Sequence, residues 1–213
     1  MTSLKTEDLI AARKAGIQKL FQFEEDLARY TGAPYVVVTS GCTHAIELCM
    51  RYDNPQMLAF SAFTYLSVPL LMHHLQISYV LTSEEWVGEY QFHGSRIWDS
   101  ARRLEPGMYR PGTMQCLSFS HSKPMFLGRA GAILLDDEEA YRTMSLWRSD
   151  GRDLRITPWE DQPVFSPGFH YCPTLELCAQ GSHQLANDFK SQSQKVEYPD
   201  CRNIQIVRDP RLE

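Results

Sequence analysis

The chain of 213 residues has no long apolar run, no excess of basic charge, no C-x-x-C pair and no internal repeat or low-complexity block. Each absence removes a class of protein. The longest apolar runs fall well short of the ~20 residues that a membrane-spanning helix needs, so no membrane partner is expected. Lysine and arginine together number 21 against 26 aspartates and glutamates, a formal net charge of -5. The chain therefore lacks a global basic footprint for nucleic acid, and a polyanion would have to be met by a local patch. The six cysteines (Cys42, Cys49, Cys116, Cys172, Cys178 and Cys201) are scattered. With an opening, MTSLKTEDLIAARK, that has no leader pattern, they point to free thiols in a reducing cytoplasm. The adjacent His73 and His74 point in different directions on a helix, so no metal site is expected there.

What is present is the composition of one soluble α/β domain: 43% apolar and 22% charged residues. A helix is predicted from Thr6 to Thr31-Gly32, with Ile10, Ile17, Leu20, Phe21 and Leu27 near helical spacing. Tyr35–Thr39 is a β-branched run suited to a buried strand. It is followed by the small-residue turn Ser40-Gly41-Cys42-Thr43 and a helix from His44 to about Tyr52. Strand, tight turn and helix N-terminus form either an anion site or a plain βα connection. Further strands are expected at Met57–Ser61, Ile77–Leu81, Arg96–Asp99, Met114–Phe119 and Ala130–Leu135, and helices at Leu66–Leu75 and Asp137–Arg148. Thr82–Ser95 shows no clear periodicity and reads as loop. Gly151–Pro167, with three prolines, reads as a surface excursion before a last helix from Pro173 to about Phe189, and one more strand is expected at Ile204–Val207. Strands alternating with helices imply a mainly parallel sheet, with ligands beyond the carboxyl ends of its strands. Ser40, Asp99 and Lys123 fall at such ends.

The stretch Cys116–Gly131, CLSFSHSKPMFLGRAG, holds one lysine among the hydroxyls of Ser118, Ser120 and Ser122. A lysine placed so is either an ordinary loop lysine or the amine of a Schiff-base enzyme that carries pyridoxal phosphate.

Six segments, in order, resemble the DegT/StrS-like aminotransferases, the nucleotide-sugar branch of pyridoxal-phosphate fold type I. They are Phe23–Gly32, Cys42–Glu47, Phe63-Thr64-Tyr65, Trp98-Asp99-Ser100-Ala101, Ser118–Lys123, and Gly168–Tyr171 with Leu175, Ala179, Gly181, Gln184 and Leu185. The resemblance implies a three-layer α/β fold with a mainly parallel or mixed sheet and helices on both faces. It implies a single large domain over residues 1–213: an N-terminal helix region to residue 32, a core over 33–190, and a short tail over 191–213 in place of a small C-terminal domain. It also implies site roles. Lys123 would bind the cofactor's carbonyl carbon and Asp99 its ring nitrogen, and Tyr65 would stack on the ring. Cys42, Thr43, His44 and Ser118 would bind phosphate, with His170 reaching the site of the other subunit in a homodimer. Three departures bear on the substrate: the missing small domain, Arg102 where the family has His or Gln, and Gly128-Arg129-Ala130-Gly131 closing the lysine loop. Arg102 and Arg129 are candidate binders of a carboxylate or phosphate, or else surface ion pairs. The expected chemistry is transamination. The alternatives are a decarboxylase or lyase acting on a large substrate, such as an amino-acid-modified thymine in phage DNA, and a non-catalytic pyridoxal-phosphate fold. A DNA substrate would need a local basic groove, for which Arg102, Arg103, Arg110, Arg152 and Arg155 are the candidates. The cytoplasm would then be that of the cell or of a phage host.

Overall fold

The computed structural model describes residues 6–187, 189–190, 192–195 and 197–206. Helix α1 (Thr6–Thr31) buries Ile17, Leu20, Phe23 and Leu27 along one stripe. Phe23, not Phe21, belongs to that stripe, because its spacing from Leu20 and Leu27 keeps it on the covered face. The helix stops where the Thr31 hydroxyl turns back to the Leu27 carbonyl at 2.7 Å and Gly32 takes φ +79°, a left-handed turn that glycine adopts without strain.

Strand β1 (Tyr35–Thr39) leads through Ser40-Gly41 into α2 (Cys42–Asp53). There follow β2 (Met57–Ser61), α3 (Ser67–His74) and β3 (Ser78–Thr82), then β4 (Tyr90–Gln91), β5 (Ile97–Asp99) and β6 (Arg103–Leu104). The second half holds β7 (Met114–Ser118), β8 (Gly131–Leu135), α4 (Glu138–Arg148), α5 (Leu175–Asn187) and β9 (Gln192–Ser193). The main sheet has five strands in the order β1-β8-β7-β5-β4, and β2 and β3 form a second, parallel pair. Mutual hydrogen bonds between Ala59 and His93, at 3.0 and 2.9 Å, connect that pair to the strand region beyond β4.

Of the two sheet types expected, mainly parallel or mixed, the structure has the mixed one. Within the main sheet only β5 and β7 run parallel; β1/β8, β8/β7 and β4/β5 are antiparallel. The reason lies in the connections. A parallel neighbour needs a crossover of a dozen or more residues, usually a helix, and the short Phe92–Arg96 turn between β4 and β5 permits only a hairpin. The segment read as loop contains β4, and the strand expected at 204–207 is absent over Ile204–Ile206, while Val207 lies outside the described residues.

Alternating residues of the buried strands feed two cores. Val37, Cys116, Ile133 and Leu135 pack with α2, α3 and α4 through Ile46, Leu48, Val68, Met72, Ala140 and Met144. Val36, Val38, Leu117, Ala132 and Leu134 pack with α1 and α5 through Leu20, Phe23, Leu27 and Cys178. The result is three layers, helices on both faces of a mixed sheet. Because β1 and β7 are each antiparallel to β8, they run the same way, and β5 runs with them. Their carboxyl ends therefore open on one edge of the sheet.

Candidate active site

That edge carries a cleft of about 670 Å³ whose walls include the α2 start, Asp99, the loop from Ser118 to Arg129, and Tyr198. Gly131, the first residue of β8, lies so close to the β1–α2 turn that a Cβ there would come within 2.5 Å of the Cys42 nitrogen. The bare glycine lets the sheet edge and the turn share one wall.

At the α2 start the Thr43 hydroxyl pairs with Ser67 at 2.7 Å, and the Ser40 hydroxyl pairs with His44 Nδ1 at 2.9 Å. His44 also stacks on Tyr171, ring centroids 4.0 Å apart and planes within 4°. Burial lowers the His44 pKa, as does the charge of Arg129, against the opposing pull of Glu47. The imidazole is thus held neutral, a fixed wall with no charge of its own near neutral pH. The Cys42 thiol turns inward to the Cys116 carbonyl at 3.7 Å, and its pKa is pushed well up by burial and by the charge of Asp99.

Asp99 ends β5 and is 4% exposed. One carboxylate oxygen accepts from the Ala101 amide at 3.0 Å, the other from the Tyr90 hydroxyl at 3.0 Å. Burial raises its pKa, while the charge of Lys123 and these hydrogen bonds hold it down. Tyr90 in turn shares its oxygen with the Thr64 hydroxyl at 2.6 Å, and its own pKa is driven well up by burial and then by Asp99, so the phenol keeps its proton. Sequence reading missed Tyr90. The signal was the two-residue alternation of Tyr90 and Phe92 with Gln91 and His93, too short to stand out.

Lys123 follows Ser122, whose φ of +60° is uncommon for a residue with a side chain, and its Nζ donates to the Tyr198 hydroxyl at 3.2 Å. Ser118 and Ser120 pair through their hydroxyls at 3.0 Å beside it. Lysine, buried carboxylate, hydroxyls and a helix N-terminus thus meet in one cleft.

Residues 14–70 match the family model of the DegT/DnrJ/EryC1/StrS aminotransferases.

The fold agrees with that family. The chain superposes on AtS13 from Actinomadura melliaura with a TM-score of 0.66 at 17% identity, covering 84% of this chain and 64% of that one. PseC of Helicobacter pylori, an aminotransferase involved in pseudoaminic acid biosynthesis, gives 0.64 at 15% identity, covering 86% and 63%. The pyridoxamine-phosphate form of the sugar aminotransferase Spr1654 from Streptococcus pneumoniae gives 0.59 at 16%, covering 79% and 58%. The chain spans less than two thirds of the length of each of these structures. No curated protein matches it in sequence. The architecture is that of the fold type I aminotransferases.

Of the residues that the aminotransferase resemblance singled out, Cys42, Thr43, His44, Tyr65, Asp99, Ser118 and Lys123 all line the cleft, as do Arg102 and Arg129. Tyr65 sits at its mouth, 61% exposed. Arg102 is buried and fully engaged: its guanidinium donates to the Ser122 carbonyl, to Gln194 Oε1 at 3.3 Å and to the Tyr198 oxygen at 3.1 Å. Arg129 has no hydrogen-bond or ion-pair partner among the described residues. His170 stands apart from the cleft of its own chain: its side chain is 88% exposed and Nδ1 pairs with Asp150 at 2.9 Å.

Among the described residues, the arginines that a local basic groove would draw on are engaged within the chain. Arg103 and Arg110 both close on Glu89, Arg152 pairs with Asp150 at 2.8 Å, and Arg155 with Asp153 at 3.6 Å. These carboxylates take up the charge that a phosphate backbone would need. Glu89 also accepts from Ser100 at 2.7 Å and Gln115 at 3.2 Å. Burial pushes its pKa up, but the bonds from Ser100, Arg110 and Arg103 outweigh that and bring it below the usual 4.5. A depressed carboxylate contributes stability above its unfolded pKa and loses it as pH falls through the folded value. Glu89→Gln should therefore cost about 2 kcal/mol at neutral pH, since bonds to a charged group are among the stronger ones. The deficit should shrink below pH 4.5, and urea titrations at neutral and acid pH would measure both.

Proposed function

We propose that the cleft is the active site of a pyridoxal-phosphate enzyme of the aminotransferase type. The observation that carries this is that Lys123, in the loop that follows β7, and the buried Asp99, the last residue of the neighbouring parallel strand β5, line one cleft with the α2 N-terminus. The residues suit the cofactor chemically. A lysine amine meets its carbonyl carbon, a carboxylate its ring nitrogen, and backbone amides with hydroxyls its phosphate.

When bound, pyridoxal phosphate supplies an electron-withdrawing ring that stabilises negative charge on a substrate carbon next to nitrogen. The chain's own groups do the rest. Asp99, fixed by Tyr90 and the Ala101 amide, holds negative charge at the ring nitrogen. The Thr43 and Ser118 hydroxyls and the α2 amides hold the phosphate, helped by the positive end of the helix dipole. Tyr65 covers a ring face at the cleft mouth. Lys123, once its amine is free, takes and returns the proton at the substrate carbon. Arg129, without a hydrogen-bond or ion-pair partner among the described residues, suits a substrate carboxylate or phosphate, and Arg102 acts through its neighbours instead. His170, turned outward, is assigned to the site of a second subunit in a homodimer.

Transamination of a small keto compound is favoured over decarboxylation or elimination on a DNA-borne substrate, because the arginines that a DNA groove would use are paired. The test is to add pyridoxal phosphate, reduce with borohydride and map the modified peptide. The expected result is the cofactor on Lys123, followed in unreduced protein by conversion to pyridoxamine phosphate on adding glutamate. Cofactor on Lys123 without that conversion, but with carbon dioxide released from a modified nucleoside, would replace transamination with decarboxylation. No uptake at all would leave only a non-catalytic fold.

A further inference from the structure

The tail beyond α5 is laid across the mouth of the cleft by two separate anchors. On one side β9 pairs with β6, the Gln194 amide donates to the Arg102 carbonyl at 2.9 Å, and the Gly88 amide donates to the Gln194 carbonyl at 3.2 Å. On the other, Asp200 bridges to Phe63, and the Cys201 amide donates to the Ala62 carbonyl at 2.9 Å with its thiol buried against the Thr64 carbonyl. Between these anchors the chain sets down Tyr198. Its ring stacks on Trp86, centroids 5.9 Å apart and planes within 18°, and Trp86 is itself pinned by an indole hydrogen bond of 2.7 Å to the Phe63 carbonyl.

The phenol oxygen of Tyr198 accepts from Arg102 Nε at 3.1 Å and from Lys123 Nζ at 3.2 Å. A phenol has two lone pairs and one proton. Both acceptor positions are therefore filled by nitrogen donors, and the O–H remains free to donate. Nothing else in the described structure hydrogen-bonds the Lys123 amine.

We propose that Tyr198 is a positioning residue for Lys123: the strap formed by residues 192–195 and 197–203 delivers its phenol to the amine, and Arg102 fixes the phenol. The proposal rests on Lys123 being the working amine of this site. It gives Arg102 a purpose, since a guanidinium engaged by Ser122, Gln194 and Tyr198 tethers lysine loop and strap together instead of reaching for substrate. It also makes the strap a wall of the cleft, so that a substrate enters past Tyr65 and Arg129.

Tyr198→Phe tests this, because it keeps the ring and its stacking on Trp86 and removes only the hydroxyl. The full chain is first dialysed against cysteine to strip any cofactor, and trace acetic anhydride labelling of Lys123 is then compared with that of Lys14 and Lys19 by peptide mass spectrometry. Losing the hydrogen bond should raise the relative labelling rate of Lys123 about fivefold, the factor that one ordinary hydrogen bond contributes. A purely structural ring would leave the rate unchanged. A second readout is the visible spectrum after pyridoxal phosphate is added, which should differ between the variant and the wild type. Faster labelling with no cofactor uptake by either protein would keep Tyr198 in its role and remove the proposed function. Normal uptake on Lys123 with identical labelling and spectra would keep the function and remove Tyr198. Matching thermal melts make the comparison valid, and Trp86→Leu, which removes the stacking partner and leaves the phenol, should give a smaller rise in labelling.

Discussion

Lys123→Ala should give a folded protein that takes up no pyridoxal phosphate covalently and whose turnover falls by roughly 10²- to 10⁴-fold, the range of a lost proton-transfer group, or more. The fold should survive because the lysine is half-buried in a loop and, among the described residues, its side chain hydrogen-bonds only Tyr198. Removing such a group changes stability little. The amine has no substitute. Among the described residues Lys123 is the one lysine that lines the cleft, and the guanidiniums of Arg102 and Arg129 do not form a Schiff base or give up a proton at neutral pH. The measurements are the visible absorption of the loaded protein, its melting temperature, and turnover with and without added methylamine, which should restore part of the activity. Turnover within tenfold of wild type in the alanine variant would end the assignment of Lys123.

The second large effect concerns stability. β1 is an edge of the main sheet, and the outward amide and carbonyl of Val38 have no strand to pair with. Glu24 of α1 accepts from that amide at 2.9 Å, and Arg148 of α4 donates to that carbonyl at 2.8 Å while closing on Glu24. The pair therefore serves as the missing strand and blocks edge pairing. Both residues are buried, Arg148 to 1% exposure. Glu24→Gln leaves the guanidinium buried without its counter-charge and should cost about 3–5 kcal/mol by urea unfolding at pH 7, a large share of a domain's stability. Arg148→Met should cost a similar amount at pH 7 but less in acid, because Glu24 can neutralise itself. Burial already raises the Glu24 pKa above 4.5, with Arg148 the main opposing influence. Without Arg148 it rises further, so the variant keeps its stability below the unfolded pKa and loses it as pH climbs through the folded one. The double variant should recover much of the loss at neutral pH, since no unpaired charge is left. A Glu24→Gln cost under about 1 kcal/mol would mean that water reaches this pair.

The residues that were legible in the sequence are those whose position depends on their immediate neighbours. Val36-Val37-Val38 and Ala132–Leu135 are apolar throughout because each strand is covered on both faces, and a continuous run records that directly. Ser40, Asp99 and Lys123 could be placed because each follows such a run, where chain direction alone puts it on the ligand edge, whereas Thr43 and Ser118 are named by the family resemblance. The spacing draws Phe21 into the α1 stripe because it is one residue, a rotation of about 100°, from the buried Leu20, a margin that a loose stripe does not resolve.

The sequence by itself determined the layered α/β class and the edge at which ligands gather, since periodicity and strand ends are local properties of the chain, while the family resemblance singled out Lys123 as the candidate amine. Only the tertiary structure decided three further points. The sheet is mixed because β8 lies between β1 and β7 antiparallel to both, and because a short turn folds β5 back on β4 as a hairpin. Of the arginines a groove would draw on, Arg103, Arg110, Arg152 and Arg155 are spent on Glu89, Asp150 and Asp153 and Arg102 on Ser122, Gln194 and Tyr198, and a charge is neutralised only by what packs against it. Tyr90 and Tyr198 flank Asp99 and Lys123. Nothing near Tyr198 in sequence marks it, because its partners, Lys123 and Arg102, are brought to it by the strap's anchors on Arg102 and Ala62, and such long-range pairing leaves no periodic trace in the chain.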